Sequence, residues 1–257
     1  MADLDQRQQA IKDAFIENRG YWADFWEQLL RLSPDFLEAY MELSSVPWKN
    51  GVLAPKIKEF IYIAIDASTT HLYNPGTRIH VKNALRHGAS MAEIMEVLQL
   101  TSGLGIHTCT MGVPVLIEEL HRAGLAAELE DGPLDPRREG LKQAFEEKRG
   151  YWNEFLDGML QLSPDFFEAF VKFSSVPWST GPLEPKIKEF IYIAIDAATT
   201  HLYEPGLRQH IRNALGYGAS KEELMEVLQL TSVLGVHTMA ESLPLLIEEG
   251  EAAGATG

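Results

Sequence analysis

The chain holds a single cysteine, Cys109, among 257 residues. One thiol permits no intramolecular disulfide, no CxxC redox pair and no thiolate-rich metal site. Basic residues are also few: 22 Lys plus Arg stand against 37 Asp plus Glu, a formal charge of −15, with no basic stripe to grip phosphates. A nucleic-acid partner is therefore not expected. The longest nearly uncharged apolar run, Phe60 to Ile65, is far shorter than the roughly 20 residues that cross a bilayer. Met1 to Ala10 is polar and has no signal-peptide hydrophobic region. These absences predict a cytoplasmic protein with no membrane partner. What remains is ordinary for a packed core, since 46% of residues are hydrophobic and 23% charged, too apolar for a disordered chain.

The chain repeats itself. Phe15 to Glu119 realigns on Phe145 to Glu249 at a constant offset of 130 without a gap. About two-thirds of the positions are identical, far above the weak self-similarity of solenoid arrays. This is a tandem duplication with halves at residues 1–123 and 139–257. The joint at 124–138 contains ELEDGPLDPRR, whose Gly, Pro and charge cluster reads as exposed linker.

Each half carries helical signals. Tyr21 to Leu32 spaces Trp22, Phe25, Trp26 and Leu29 at helical intervals. Ser33-Pro34-Asp35 supplies an N-cap, a Pro at the first helical position and an acid in the first turn, predicting a helix to about Ser44 that Pro47 stops. Pro55 opens another. There Ile61, Ile63 and Ile65 could alternate as a strand. However, Glu59, Tyr62, Asp66 and Thr70 recur every three or four residues, one polar stripe on an otherwise apolar helix that should be buried on most sides. Pro75 starts a helix through His80 and Asn83 that Gly88 ends. Ser90 with Glu93, and Ser220 with Glu223, form capping boxes for a long last helix. The fold class predicted is all-α.

Three histidines recur at matching positions: His71 with His201, His80 with His210, and His107 with His237. Glu59 and its counterpart Glu189 sit in the most apolar helix of each half, where an unpaired carboxylate is costly, so each needs a hydrogen-bonding or titrating partner. Burying the whole polar stripe in an apolar core would leave groups unsatisfied at roughly 1–3 kcal/mol each. The stripe is therefore expected to line a cavity with His80 and His107. Tyr62, Asp66 and His107 become candidate substrate contacts in the first half, and Tyr192, Asp196 and His237 in the second.

The stretches Pro55-Lys-Ile-Lys-Glu59-Phe-Ile, Tyr73-Asn-Pro-Gly76 and His80-Val-Lys-Asn-Ala-Leu-Arg-His-Gly88-Ala-Ser-Met-Ala-Glu93-Ile-Met-Glu-Val-Leu resemble the carboxymuconolactone decarboxylase and alkylhydroperoxidase D family. The pattern recurs in the second half with Glu189, His210, Gly218 and Glu223. The resemblance implies two fused alkylhydroperoxidase D-like helical repeats forming a pseudo-dimer, and a homo-oligomer. The peroxidase branch carries CxxC seven and four residues before its His. Those positions are Tyr73 and Gly76 here, and Tyr203 and Gly206, so thiol peroxidase chemistry is absent. The decarboxylase branch is similar in keeping the His without the thiols.

By that resemblance His80 and His210 are general acid/base residues, and Glu59 and Glu189 are their orienting or proton-relay partners. The substrate is a small, anionic organic acid or lactone, and no cofactor is required. Arg78 and Arg208 are candidates to neutralise it, although two residues from the His they lie on another helix face. Two other classes compete with this lyase-like reading. One is a metal-dependent enzyme in which His71, His80 and His107, with His201, His210 and His237 in the second half, hold zinc or iron. The other is a non-catalytic helical ligand binder or scaffold.

Overall fold

The structure, a computed structural model, describes residues 3–126 and 134–254. Every regular element among them is helical. Helix α1 (Gln6–Arg19) opens on a capping box between Asp5 and Gln8 and closes at Gly20, whose φ of 72° gives the left-handed turn that ends it. Helix α2 (Asp24–Leu32) begins past Tyr21, and α3 (Pro34–Asn50) starts on Pro34 without a cap bond from the Ser33 side chain. Helices α4 (Pro55–Ala67), α5 (Asn74–Arg86) and α6 (Met91–Ser102) follow, the last opened by the Ser90–Glu93 capping box. The long last helix expected from sequence is broken by a 3₁₀ turn, Gly103–Ile106, and resumes as α7 (His107–Arg122). The second half runs through α8 (Pro136–Arg149), α9 (Asp157–Leu162), α10 (Pro164–Thr180), α11 (Pro185–Ala197), α12 (Glu204–Gly216), α13 (Lys221–Ser232) and α14 (His237–Ala252).

Two boundaries differ from the sequence reading. Pro47 does not stop α3; the helix runs through it, as α10 runs through Pro177. Each proline lies in the last turn of its helix, and its carbonyl accepts from a buried lysine of the next helix: Lys58 Nζ donates to the Pro47 carbonyl at 2.5 Å and Lys188 Nζ to that of Pro177 at 2.6 Å. At the joint, Asp135 caps α8 by accepting from the N–H groups of Arg137 and Arg138. Residues 136–138 are thus helix, while 127–133 of the linker lie outside the described residues.

Helix α4 is buried on every side from Lys58 through Asp66, and so is α11 from Lys188 through Asp196. The two pack against each other and against α6 and α13 at the centre of the molecule. Ile61 and Ile65 join Phe190, Ile193 and Leu230 in one core; Phe60 and Ile63 join Ile191, Ile195 and Leu100 in the other. Both central clusters draw their buried residues from both halves. The outer helices also cross over: α14 packs on α2, and α7 packs on α9. Val236 and Leu243 thereby complete the cluster around Phe15 and Trp26, while Ile106 and Cys109 pack on the cluster around Phe145 and Phe167.

Two buried ion pairs tie the halves together, Lys58 to Glu226 at 2.9 Å and Lys188 to Glu96 at 2.7 Å. Glu226 also accepts from the N–H groups of Val52 and Leu53, and Glu96 from that of Leu183. Removing one partner of a buried pair strands the other charge, typically at about 3–5 kcal/mol. Glu226→Ala should therefore lose several kcal/mol in denaturant unfolding. A loss under about 1 kcal/mol, the scale of an exposed pair, would show that the pair does not hold the halves.

By length and composition, Met91–Arg122 and Lys221–Ala252 are apolar enough to cross a membrane, although short apolar runs alone suggest no such span. Here α6 and α13 spend that apolarity on the central core. Helices α7 and α14 leave Met111, Val115, Leu116, Leu245 and Leu246 exposed.

Candidate active site

Glu59, Tyr62 and Asp66 share one face of α4 and are all buried. They line a cavity of about 230 Å³. Thr70 does not join them. Helix α4 ends before it, and its hydroxyl lies 3.4 Å from that of Thr200.

Helix α5, started by Pro75, carries His80 to the same cavity. Its Nδ1 lies 2.6 Å from Glu59 Oε2, its Nε2 lies 3.9 Å from Asp66 Oδ2, and Tyr62 stacks on the ring at 4.5 Å. With Nδ1–H donating to Glu59, the imidazole is held by two neighbours and its Nε2 is free for other work. The second half repeats this: His210 to Glu189 at 2.6 Å, His210 to Asp196 at 4.0 Å, and Tyr192 stacked at 4.5 Å. Burial pushes the carboxyls of both Asp66 and Asp196 up to about 7, against the pull of His80 and His210.

Gly76 and Gly206, at the second of the two family thiol positions, make room for these aspartates. A Cβ on Gly76 would sit 2.1 Å from Asp66 Oδ2, and one on Gly206 would sit 2.2 Å from Asp196 Oδ2. Tyr73, at the first thiol position, is buried and stacks on His237 at 4.0 Å; Tyr203 stacks on His107 at 3.9 Å.

The crossover of α7 and α14 redistributes the histidines. His237 lines the cavity of the first half, and His107 that of the second. The sequence reading put His107 beside His80, but His107 instead meets His201 at 2.7 Å and Asp196 at 3.7 Å, while His237 meets His71 at 2.9 Å and Asp66 at 3.6 Å. The three-histidine metal set drawn within one half, His71, His80 and His107 or His201, His210 and His237, is therefore not assembled. Burial pushes His107 and His237 down to about 3, with their neighbouring histidines adding to the shift.

Arg78 and Arg208 are exposed and line neither cavity, and Arg208 is paired with Glu204. The cavities hold a different arginine, Arg19 in the first and Arg149 in the second. Neither arginine has a hydrogen-bond partner for Nε among the described residues, and Arg149 lies over the Tyr192 ring at 5.6 Å. Arg149 also lies over the Trp178 ring at 4.7 Å. The left-handed glycines Gly20 and Gly150 turn the chain right after these arginines. The one sequence signal was the Arg-Gly-Tyr-Trp stretch that both halves keep.

The cavities are unequal, about 230 Å³ against about 60 Å³. Ile79 faces the first where Gln209 faces the second, and Tyr40 where Phe170 does.

The class defined by these features is an all-helical tandem-repeat protein with a His–Glu pair in each half whose histidine lines a cavity. The chain belongs to the carboxymuconolactone decarboxylase family, whose pattern matches residues 34–102 and 164–246. It is similar to a crystal structure from Burkholderia xenovorans LB400, provisionally named a gamma-carboxymuconolactone decarboxylase subunit. Identity is 48%, coverage is 96% of this chain and 98% of that one, and the TM-score is 0.90. No curated protein matches the chain.

Proposed function

We propose that the protein is a lyase-type enzyme acting on a small anionic lactone or carboxylic acid, with His80 and His210 as the acid/base groups. The observation that carries this is the 2.6 Å contact between His80 Nδ1 and Glu59, which leaves Nε2 available inside a cavity that also holds an arginine. Arg19 supplies the positive charge that a substrate carboxylate requires. In the proposed decarboxylation the C–C bond to a substrate carboxylate breaks and CO2 leaves; its electron pair passes into the lactone carbonyl's conjugated system, and the His80 imidazolium, held by Glu59, gives its Nε2 proton to the carbon beside that carbonyl. Tyr62 and Asp66 complete the wall of the first cavity, and Tyr192 and Arg149 line the second. The name of the Burkholderia relative makes gamma-carboxymuconolactone the first compound to assay.

The test is Glu59→Gln combined with Glu189→Gln. The amide keeps the shape but does not stabilise an imidazolium, so turnover should fall by about 100-fold, within the range for general acid–base groups, with melting temperature little changed. A large loss of melting temperature at unchanged activity per folded molecule would make the carboxylate structural.

We also propose that the chain forms a homo-oligomer through the exposed apolar residues of α7 and α14, including Met111, Leu116 and Leu246. Sedimentation velocity at micromolar concentration should show a species larger than 28.8 kDa. A monomer would refute the association.

A further inference from the structure

His71, Asp66 and His237 do something that neither the lyase reading nor the fold requires. Three potential ligand atoms, Asp66 Oδ1, His71 Nε2 and His237 Nδ1, lie within 4.8 Å of one another, and Asp196, His201 and His107 repeat the arrangement. The separations are 2.9 Å between the two nitrogens and 3.6 Å from His237 Nδ1 to the carboxylate oxygen; in the second set they are 2.7 Å and 3.7 Å. Bonds of about 2.0–2.1 Å to a tetrahedral zinc would put ligand atoms about 3.3 Å apart, inside the observed spread.

A hydrogen-bond network accounts for these groups poorly. One proton shared by the two imidazoles joins His71 to His237, but leaves Asp66 Oδ1 beyond hydrogen-bond distance of His237. Asp66 is 1% exposed, and its Oδ2 has no hydrogen-bond partner; both carboxylate oxygens of Asp196, also 1% exposed, lack one. A buried carboxylate without a donor is costly, and a cation removes that cost. The rings are also held in place. His71 and His237 lie within 5° of parallel and Tyr73 stacks on His237, while His107 and His201 lie within 8° of parallel under Tyr203. His71 is set by the turn after α4, in which Leu72 adopts a left-handed φ of 52° and Leu202 repeats it at 54°.

We propose that each half holds a site for a divalent transition-metal cation of the zinc class, built from Asp66, His71 and His237 in one and from Asp196, His201 and His107 in the other. Two imidazoles and one carboxylate form a donor set suited to zinc, iron(II) or manganese(II) and leave coordination positions open. Each site draws two ligands from one half and one from the other, so the crossover of α7 and α14 assembles it. The proposal does not rest on the acid/base reading of His80, whose Nδ1 is committed to Glu59.

The test uses the full chain without a His-tag, stripped with chelator and titrated with zinc chloride in a calorimeter. The expected result is two zinc ions per chain and a rise in melting temperature with excess zinc. Loss of a residue that only supports a metal ligand costs 10- to 100-fold in affinity. His71→Gln with His201→Gln should therefore weaken binding by about 100-fold or more and abolish the thermal shift. Both residues are half-buried, and circular dichroism of the variant checks that it folds. Should it not fold, Asp66→Asn with Asp196→Asn gives the same readout. His121→Ala, at an exposed histidine near the end of α7, should still bind two ions. Fewer than one zinc per chain in the native protein, or undiminished affinity in a folded ligand variant, would overturn the proposal.

Discussion

Replacing His80 and His210 together by Gln should lower turnover by about 100- to 10,000-fold, the range that a positioned general acid or base contributes. The amide of Gln approximates the imidazole's polar reach but takes no proton at neutral pH. Both rings stack on a tyrosine, and His80 is held by Glu59 at 2.6 Å, so the substitution replaces a group whose position the fold has fixed. On the proposed reading, substrate affinity should change only a few-fold, because the charge assigned to the anion is on Arg19 and Arg149, which line the two cavities, rather than on the histidines. A protein that served only to bind would show the same affinity and have no turnover to lose. Binding calorimetry beside a product assay separates the two cases.

The single replacements should be unequal. The chemistry in the two halves is nearly superimposable, with the same His–Glu distance of 2.6 Å, but the cavities hold about 230 Å³ and about 60 Å³. The second cavity is about a quarter the volume of the first, which favours binding of a ring with a carboxylate in the first. His80→Gln alone should therefore abolish most of the turnover and His210→Gln little of it. Symmetric halves of the activity lost from each would mean that the second cavity opens to full size in solution. The effects should add, since the two sites share no catalytic group.

Much of this was legible in the chain. The repeat and the all-helical class follow from identity at a fixed offset and from the period of apolar residues. The stripe on α4 predicted a cavity, and Glu59, Tyr62 and Asp66 line one. The pairing of Glu59 with His80 rested on family resemblance, because the two are 21 residues apart on different helices and no local period links them. The partners of His107 and His237 were not legible. A duplicated sequence shows that two positions correspond but not which half each side chain serves, and the crossover of α7 and α14 sends each to the other half. Arg19 was missed because it ends a polar helix, and only the folded chain brings it into the cavity. Pro47 misled because it falls in the last turn of α3, where a single lost i−4 bond does not end a helix that stops at Asn50.

The central claim is that His80 and His210 move a proton at a substrate carbon. It is tested most directly by running the decarboxylation or exchange reaction of the proposed lactone substrate in deuterium oxide and following the carbon by NMR. The native protein should introduce one deuterium at the carbon beside the carbonyl, and the folded His80→Gln, His210→Gln double variant should introduce it at least about 100-fold more slowly. Equal rates of incorporation in the two proteins would contradict the account.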